Sequence, residues 1–390
     1  MLSPASRPEK VKSPTYFILL DPLRFLAALL VMGLHLGLWG WWKDGDGIGT
    51  IARYFPAYPE FPELVSFTWF GWMGVQIFFV ISGFVITVSA EQSTAKRFLR
   101  SRFLRIYPVA WICSTIALLT IIVTADHHGK VDVFLRYLNT MILSPYPFWI
   151  DGVYWTLALE LVFYGLVLIL LSLGKQNSLD RFGIFLGCTS SLYIVAMVTD
   201  LSPTGWIYTL LLLRHGVFFA IGILVWSLKD ARHAIPWRIL GLLAFFMAAG
   251  VLEILYTAVE KQNALNLTAP LYPPAVTWLL LVLGIFSCAI CADWFNQRLK
   301  PLEGVLRVLG LATYPLYLIH QTLGGAVAEL AFEAGLNRFV ALLFAILSCI
   351  TVSIVIALLV EPPVRRVAAG GFDTITRLLM ASKTVNLRKG

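Results

Sequence analysis

The chain has 390 residues, of which 58% are hydrophobic and only 13% charged, with a mean hydropathy of +0.79. Soluble domains carry roughly 25% charged residues, so this composition excludes a water-soluble protein, and 26 Phe, 14 Tyr and 13 Trp exclude a disordered or fibrous one. What remains is a polytopic membrane protein, whose net charge of +8 is first a topology signal and not the footprint of a nucleic-acid partner.

Crossing about 30 Å of hydrocarbon at 1.5 Å per residue takes about 20 apolar residues. Ten segments qualify in chain order: 22–42, 69–90, 107–125, 153–173, 182–200, 205–227, 238–258, 273–292, 307–325 and 339–360. The first follows Arg7, Lys10 and Lys12 as a signal peptide would, but it runs too long and lacks a small-residue cleavage site, so it reads as a retained span. Segment 131–146 has apolar residues near helical spacing with Arg136 on the other face, which predicts a short helix at the outer interface. Between the fifth and sixth spans, Asp200-Leu201-Ser202-Pro203-Thr204 predicts a tight turn, one long helix being the alternative. Bare backbone is not tolerated in lipid and the segments lack strand alternation, so the spans are expected to be helices and the fold an all-α bundle.

Threading ten spans from a cytoplasmic N-terminus puts most Lys and Arg on the inner side, including Lys96, Arg97, Arg100, Arg102 and Arg105. Both termini are then cytoplasmic, with a transmembrane domain over 1–365 and a basic tail over 366–390. The five cysteines, at 113, 188, 288, 291 and 349, lie in apolar runs and imply no disulfide framework. Cys288 and Cys291 lack further ligands to close a zinc shell, and Asp126-His127-His128 falls in a wet loop, so no metal site is expected.

An ionisable group within the bilayer costs roughly 2.5–3.5 kcal/mol, which makes each one a site candidate. The first span carries Arg24, near the cytoplasmic face and able to snorkel, and His35, about 16 Å further along the axis. The fourth carries Glu160 in Trp155-Thr156-Leu157-Ala158-Leu159-Glu160-Leu161-Val162-Phe163-Tyr164. Threading places His35 and Glu160 each about 10 Å below the outer edge, so a His35–Glu160 pair is geometrically allowed, the carboxylate orienting the imidazole. Arg214 shares that depth and needs an anion or a polar cavity. His320, in Tyr314-Pro315-Leu316-Tyr317-Leu318-Ile319-His320, follows a proline that loosens its helix, and Glu253 is a weaker candidate. Arg97, Arg100, Arg102 and Arg105 form two Arg-x-x-Arg pairs interleaved with aromatics, a pattern that can clamp phosphates, while Ser82-Gly83 marks a small-residue break allowing close approach.

These residues together resemble the membrane acyltransferase 3 family, whose hallmark, Arg-x10-His in the first span, is matched by Arg24 and His35. The resemblance continues through Phe78 to Phe84, Arg102 to Pro108, Trp155 to Tyr164, Tyr314 to His320 and Glu361-Pro362-Pro363, and so covers essentially the whole chain. It implies transfer of acetyl or another short acyl group from cytoplasmic acyl-CoA to a hydroxyl of a saccharide, glycan or natural product. No tightly bound cofactor is expected, and the setting is a bacterial cytoplasmic membrane. Functional residues carry over to Arg24, His35, Arg102, Arg105 and Glu160. The expected mechanism uses His35 as general base or transient acyl carrier and Glu160 as its support, with Arg214 near the oxyanion. Ser82, Trp155, Tyr164, Tyr317 and His320 complete the candidate substrate-binding set. The rival reading is a secondary transporter or glycan flippase using the intramembrane charges as its path.

Overall fold

The computed structural model describes residues 16–42, 50–124, 129–230 and 237–386. Those residues form helices and connecting loops, with no strand among them, and the protein is an all-α polytopic membrane protein. The main helices are α1 (Leu20–Leu34), α2 (Met73–Glu91), α3 (Ala95–Thr124), α4 (Trp155–Ser172), α5 (Leu179–Val198), α6 (Gly216–Asp230), α7 (Trp237–Ala264), α8 (Tyr272–Ile290), α9 (Glu303–Glu333), α10 (Arg338–Val355) and α11 (Glu361–Asn386). Arg7, Lys10, Lys12 and the Asp126-His127-His128 loop lie outside the described residues.

Nine helices among the described residues are long and apolar enough to span a membrane, one fewer than the ten segments of the sequence. The difference lies in the sixth segment. Its predicted 205–227 span breaks into a short helix, Trp206–Leu210, and α6, with Leu212 between them in the left-handed region at φ 61°. The apolar helical stretch that remains, Gly216–Leu228, is shorter than a full span yet the most enclosed in the protein, with every residue from His215 to Val225 buried. A helix apolar on all sides belongs at the centre of a bundle. The turn expected before it is present, with Asp200 at φ 54° and Gly205 at φ 137°.

Two packing groups meet at this centre. Helix α6 lies against α2 and α5, and α9 lies against α1, α3 and α10. The α2–α6 crossing is made by Gly83 and Gly222: a Cβ on Gly222 would collide with the Val80 carbonyl, and one on Gly83 with the Phe219 carbonyl. Such backbone contact needs glycine on both helices. The same approach presents Ser82 to α4, which packs on α2 and α3.

Helix α1 runs into a five-residue π-helical turn, His35–Trp39. Single π turns inside α-helices are frequent at functional sites because they re-aim side chains and free carbonyls. Here the Tyr58 hydroxyl donates to the Leu36 carbonyl at 2.7 Å, and Trp41 Nε1 donates to the Gly37 carbonyl at 2.9 Å. A second π turn, Ile356–Val360, joins α10 to α11, so much of the tail beyond residue 365 is helical. Helix α11 is fastened to α3 by a bidentate Arg100–Asp373 pair, both contacts 2.8 Å, and by Phe103 against Phe372.

Candidate active site

Two cavities enter the bundle from opposite ends. The first, about 120 Å³, is a narrow slot at the basic end of α3, lined by Arg24 of α1, Ser82 of α2, Arg102 and Arg105 of α3, Glu160 and Tyr164 of α4, and Tyr314 and Tyr317 of α9. The three-residue spacing of Arg102 and Arg105 turns both toward the slot, while Arg100 faces α11. Arg102 donates to the Ser89 and Ser101 hydroxyls, both at 3.1 Å, and lies over the Phe98 and Tyr164 rings. Arg105 lies over Tyr314. Three guanidinium groups thus share the slot with one carboxylate, Glu160, whose Oε1 accepts from Ser82 at 2.5 Å and whose Oε2 accepts from Tyr164 at 3.3 Å. Among the described residues, Arg24 has one ion-pair contact, a long 3.7 Å to Asp21. The excess of positive charge suits an anionic, slender ligand.

The second cavity is about 690 Å³, within the roughly 300–1,000 Å³ of ligand pockets. His35, Trp39, Trp72, Gln76, Trp149, Trp155, His215 and Gln321 line it, together with Arg53, Arg136, Arg214, Lys261, Glu253 and Glu260. Val75 and Tyr317 line both cavities and form the wall between them. The Tyr317 hydroxyl is fixed by Thr156 at 3.1 Å.

The structure re-pairs the predicted residues. His35 is bonded to His320, with Nδ1 of the first 2.9 Å from Nε2 of the second, so its partner is a neutral-type ring on α9. Glu160 lies with Ser82, Tyr164 and the arginines in the slot, and His35 lines the wide cavity. A shared depth, which is all that sequence offers, does not put two groups on facing sides of their helices. His320 is wholly buried and lines neither cavity; it stands behind His35. Arg214 does face the wide cavity, but its charge is engaged: Nε contacts Glu253 at 3.1 Å, and Nη2 contacts Thr257 at 2.9 Å and Glu260 at 2.6 Å. Trp155, Ser82, Tyr164 and Tyr317 all line a cavity.

Comparison with known proteins decides the family, because the model of the acyltransferase 3 family, described as an acyltransferase domain, matches residues 17–358. The chain belongs to that family. It is 28% identical over 285 residues to nodulation protein 10 of Rhizobium leguminosarum bv. viciae, covering 58% of this chain and 68% of that one. It is 25% identical over 314 residues to the exopolysaccharide production protein ExoZ of Rhizobium meliloti (strain 1021), covering 76% of this chain and 92% of that one. No solved structure gives a significant match.

For a membrane acyltransferase, several residues of the wide cavity were not singled out in the sequence. His215 follows Arg214 inside an apolar run and meets the same criterion of an ionisable group in a span; its buried Nδ1 has no hydrogen-bond partner and lies 3.9 Å from Glu253. Gln76 Oε1, Trp72 Nε1 and Glu253 Oε2 are likewise buried without a partner. Buried polar atoms are nearly always satisfied, so four unpaired ones on residues of one cavity, each shielded from water in this conformation, mark a wall whose side chains must shift before a ligand or water can complete the bonding. Lys261, over the Trp39 ring at 5.1 Å, and Arg53 gave no signal beyond ordinary surface cations. Asp151 is a further structural surprise: fully buried, it caps the turn before α4 through Val153 N and accepts from Thr322 of α9 at 2.7 Å. Burial pushes its carboxyl up to about 6, against those hydrogen bonds, which favour the charged form.

Proposed function

We propose that the protein is a membrane O-acyltransferase that moves a short acyl group, acetyl in the first instance, from acyl-CoA to a saccharide hydroxyl in a bacterial cytoplasmic membrane. The observation that carries this reading is the position of His35: it lines a wide, tryptophan-rich cavity that shares Val75 and Tyr317 with a narrow, arginine-lined slot. The slot suits the CoA phosphates at Arg102, Arg105 and Arg24, with the acyl-pantetheine arm directed toward Tyr317. The wide cavity suits a sugar, with aromatic faces for its rings and polar side chains, Arg53, Glu260 and Gln321 among them, for its hydroxyls. The names of the two relatives, one of them an exopolysaccharide production protein, support a glycan-related acceptor.

On this reading His35 takes the proton of the acceptor hydroxyl as that oxygen attacks the thioester carbonyl. The C–S bond breaks, the proton passes to the departing thiolate, and the products are an ester and free CoA. Glu160 orders Ser82 and Tyr164 and balances part of the charge in the slot. The test is transfer of labelled acetyl from acetyl-CoA into base-labile ester in membranes holding native glycans and lipids, for wild type and His35→Ala. Loss of at least 100-fold in a folded His35→Ala protein supports the base. Equal transfer by the two proteins refutes it.

A further inference from the structure

The hydrogen-bond chain behind His35 determines which of its nitrogens is basic. His320 Nδ1 lies 3.1 Å from the Leu316 carbonyl one turn earlier in α9. A carbonyl only accepts, so Nδ1 carries the proton, and the Nε2 of a neutral His320 is left with a lone pair. His35 Nδ1, at 2.9 Å from that Nε2, must then be the donor. A neutral His35 has one N–H, and with it committed to His320 the basic nitrogen is Nε2, on a ring that lines the wide cavity.

We propose that His320 is a positioning residue: it fixes His35 in the tautomer with an unprotonated Nε2 and steadies the imidazolium formed when that nitrogen takes the acceptor's proton. This rests on the reading of His35 as base. Beside His320, the Val31 backbone one turn earlier in α1 also offers the His35 ring a hydrogen bond, but His320 is the side chain bonded to it among the described residues. The polar and charged neighbours on the packed elements are Gln76 of α2, Tyr317 and Gln321 of α9, Lys261 of α7 and Cys349 of α10, whose thiol donates to the His320 carbonyl at 3.9 Å. No carboxylate among the described residues is hydrogen-bonded to either ring. The acceptor is therefore a neutral ring held by a backbone carbonyl, a partner that orients a base without adding negative charge to a cavity meant for substrate.

The test compares His320→Leu, which removes the acceptor, with His320→Gln, whose side-chain carbonyl can replace it, both purified and shown folded by their unfolding temperature. His320→Leu is expected to lose about 100-fold or more in kcat with donor and acceptor KM within about threefold, as when a base is released into the wrong tautomer. His320→Gln is expected to recover most of that loss. In His320→Ala, added imidazole should restore turnover and added pyrrole, which has an N–H but no acceptor nitrogen, should not. Wild-type kcat in His320→Leu alongside an inactive His35→Ala overturns the inference and leaves the function standing, as does a folded His320→Gln as slow as the leucine variant. Full activity in His35→Ala removes the function reading itself.

Discussion

Arg214→Met isolates the strongest ion-pair network lining the wide cavity. It leaves Glu253, which is 0% exposed, with the Thr257 hydroxyl at 3.0 Å and the His215 ring nitrogen at 3.9 Å. An uncompensated buried charge costs about 3–5 kcal/mol. The second partner, Glu260, is 45% exposed, and its pair adds at most about 1 kcal/mol. The open cavity lets water reach the guanidinium, itself 23% exposed, so the low end applies and Arg214→Met should lose about 3 kcal/mol. Adding Glu253→Gln removes the stranded anion, and the double variant should return to within about 1–2 kcal/mol of wild type. The measurement is reversible unfolding in mixed micelles, run as a double-variant cycle. A loss below about 1 kcal/mol in Arg214→Met, or a double variant no more stable than that single one, refutes the assignment of Arg214 as the counter-charge of Glu253. Transfer activity lost in the folded double variant but kept in Glu253→Gln alone then reports direct contact of Arg214 with substrate, up to the roughly 100- to 1,000-fold of a missing oxyanion donor.

Gly222→Val should prevent the α2–α6 crossing and lower the yield of folded protein severely, whereas Gly241→Ala, which meets nothing within 4 Å, should be neutral or stabilise α7 by up to about 1 kcal/mol; thermal unfolding in detergent compares the two. Arg105→Ala should raise the donor KM about tenfold or more, the loss of charge-assisted hydrogen bonds to phosphate, with a smaller change for the acceptor; equal changes in both would place the donor elsewhere. The Asp151 carboxyl is raised from 3.8 to about 6 on folding, so the folded state binds the extra proton, and this group's contribution to stability is present below about pH 4 and lost as pH rises through 6. At neutral pH the ionised form costs about 3 kcal/mol by that shift, so Asp151→Asn should be more stable than wild type at pH 7.5 and should flatten the pH 4–6 slope of the unfolding midpoint; an unchanged slope assigns that titration to another group.

Length and hydropathy fix where this chain crosses the membrane because each span must satisfy its own backbone, and that requirement is local. They fail at the sixth segment for the same reason: Gly216–Leu228 is enclosed by α2 and α5 and owes nothing to lipid thickness, so its apolar run carries the signal of a span without its length. Arg24, Arg102 and Arg105 were legible as one group from their charge and their end of the bundle, whereas Glu160, placed by threading at the depth of His35, lies with them in the structure. The His35–His320 pair was not. Depth along the axis is a one-dimensional coordinate, and the neighbour of α1 at that depth is decided by α9 packing on it, which no local pattern encodes. His215, next to Arg214 in the same apolar run, satisfies the same rule of an ionisable group within a span.

The division into a narrow basic slot and a broad polar cavity has a consequence for how the chemistry avoids water. On the proposed reading, a thioester arm would fill most of the slot of about 120 Å³ up to Tyr317, while the cavity of about 690 Å³ has room for water until an acceptor fills it. A base in a wet cavity activates water as readily as a sugar hydroxyl, so hydrolysis competes unless the acceptor displaces that water. Polar side chains lining the cavity, Arg53, Glu260 and Gln321 among them, would on that reading hold water when it is empty and exchange it for hydroxyls when a sugar enters. Specificity for transfer over hydrolysis, on the same reading, resides in the wide cavity, and a smaller side chain at Trp72 should show itself as acetyl-CoA hydrolysis rising relative to ester formed.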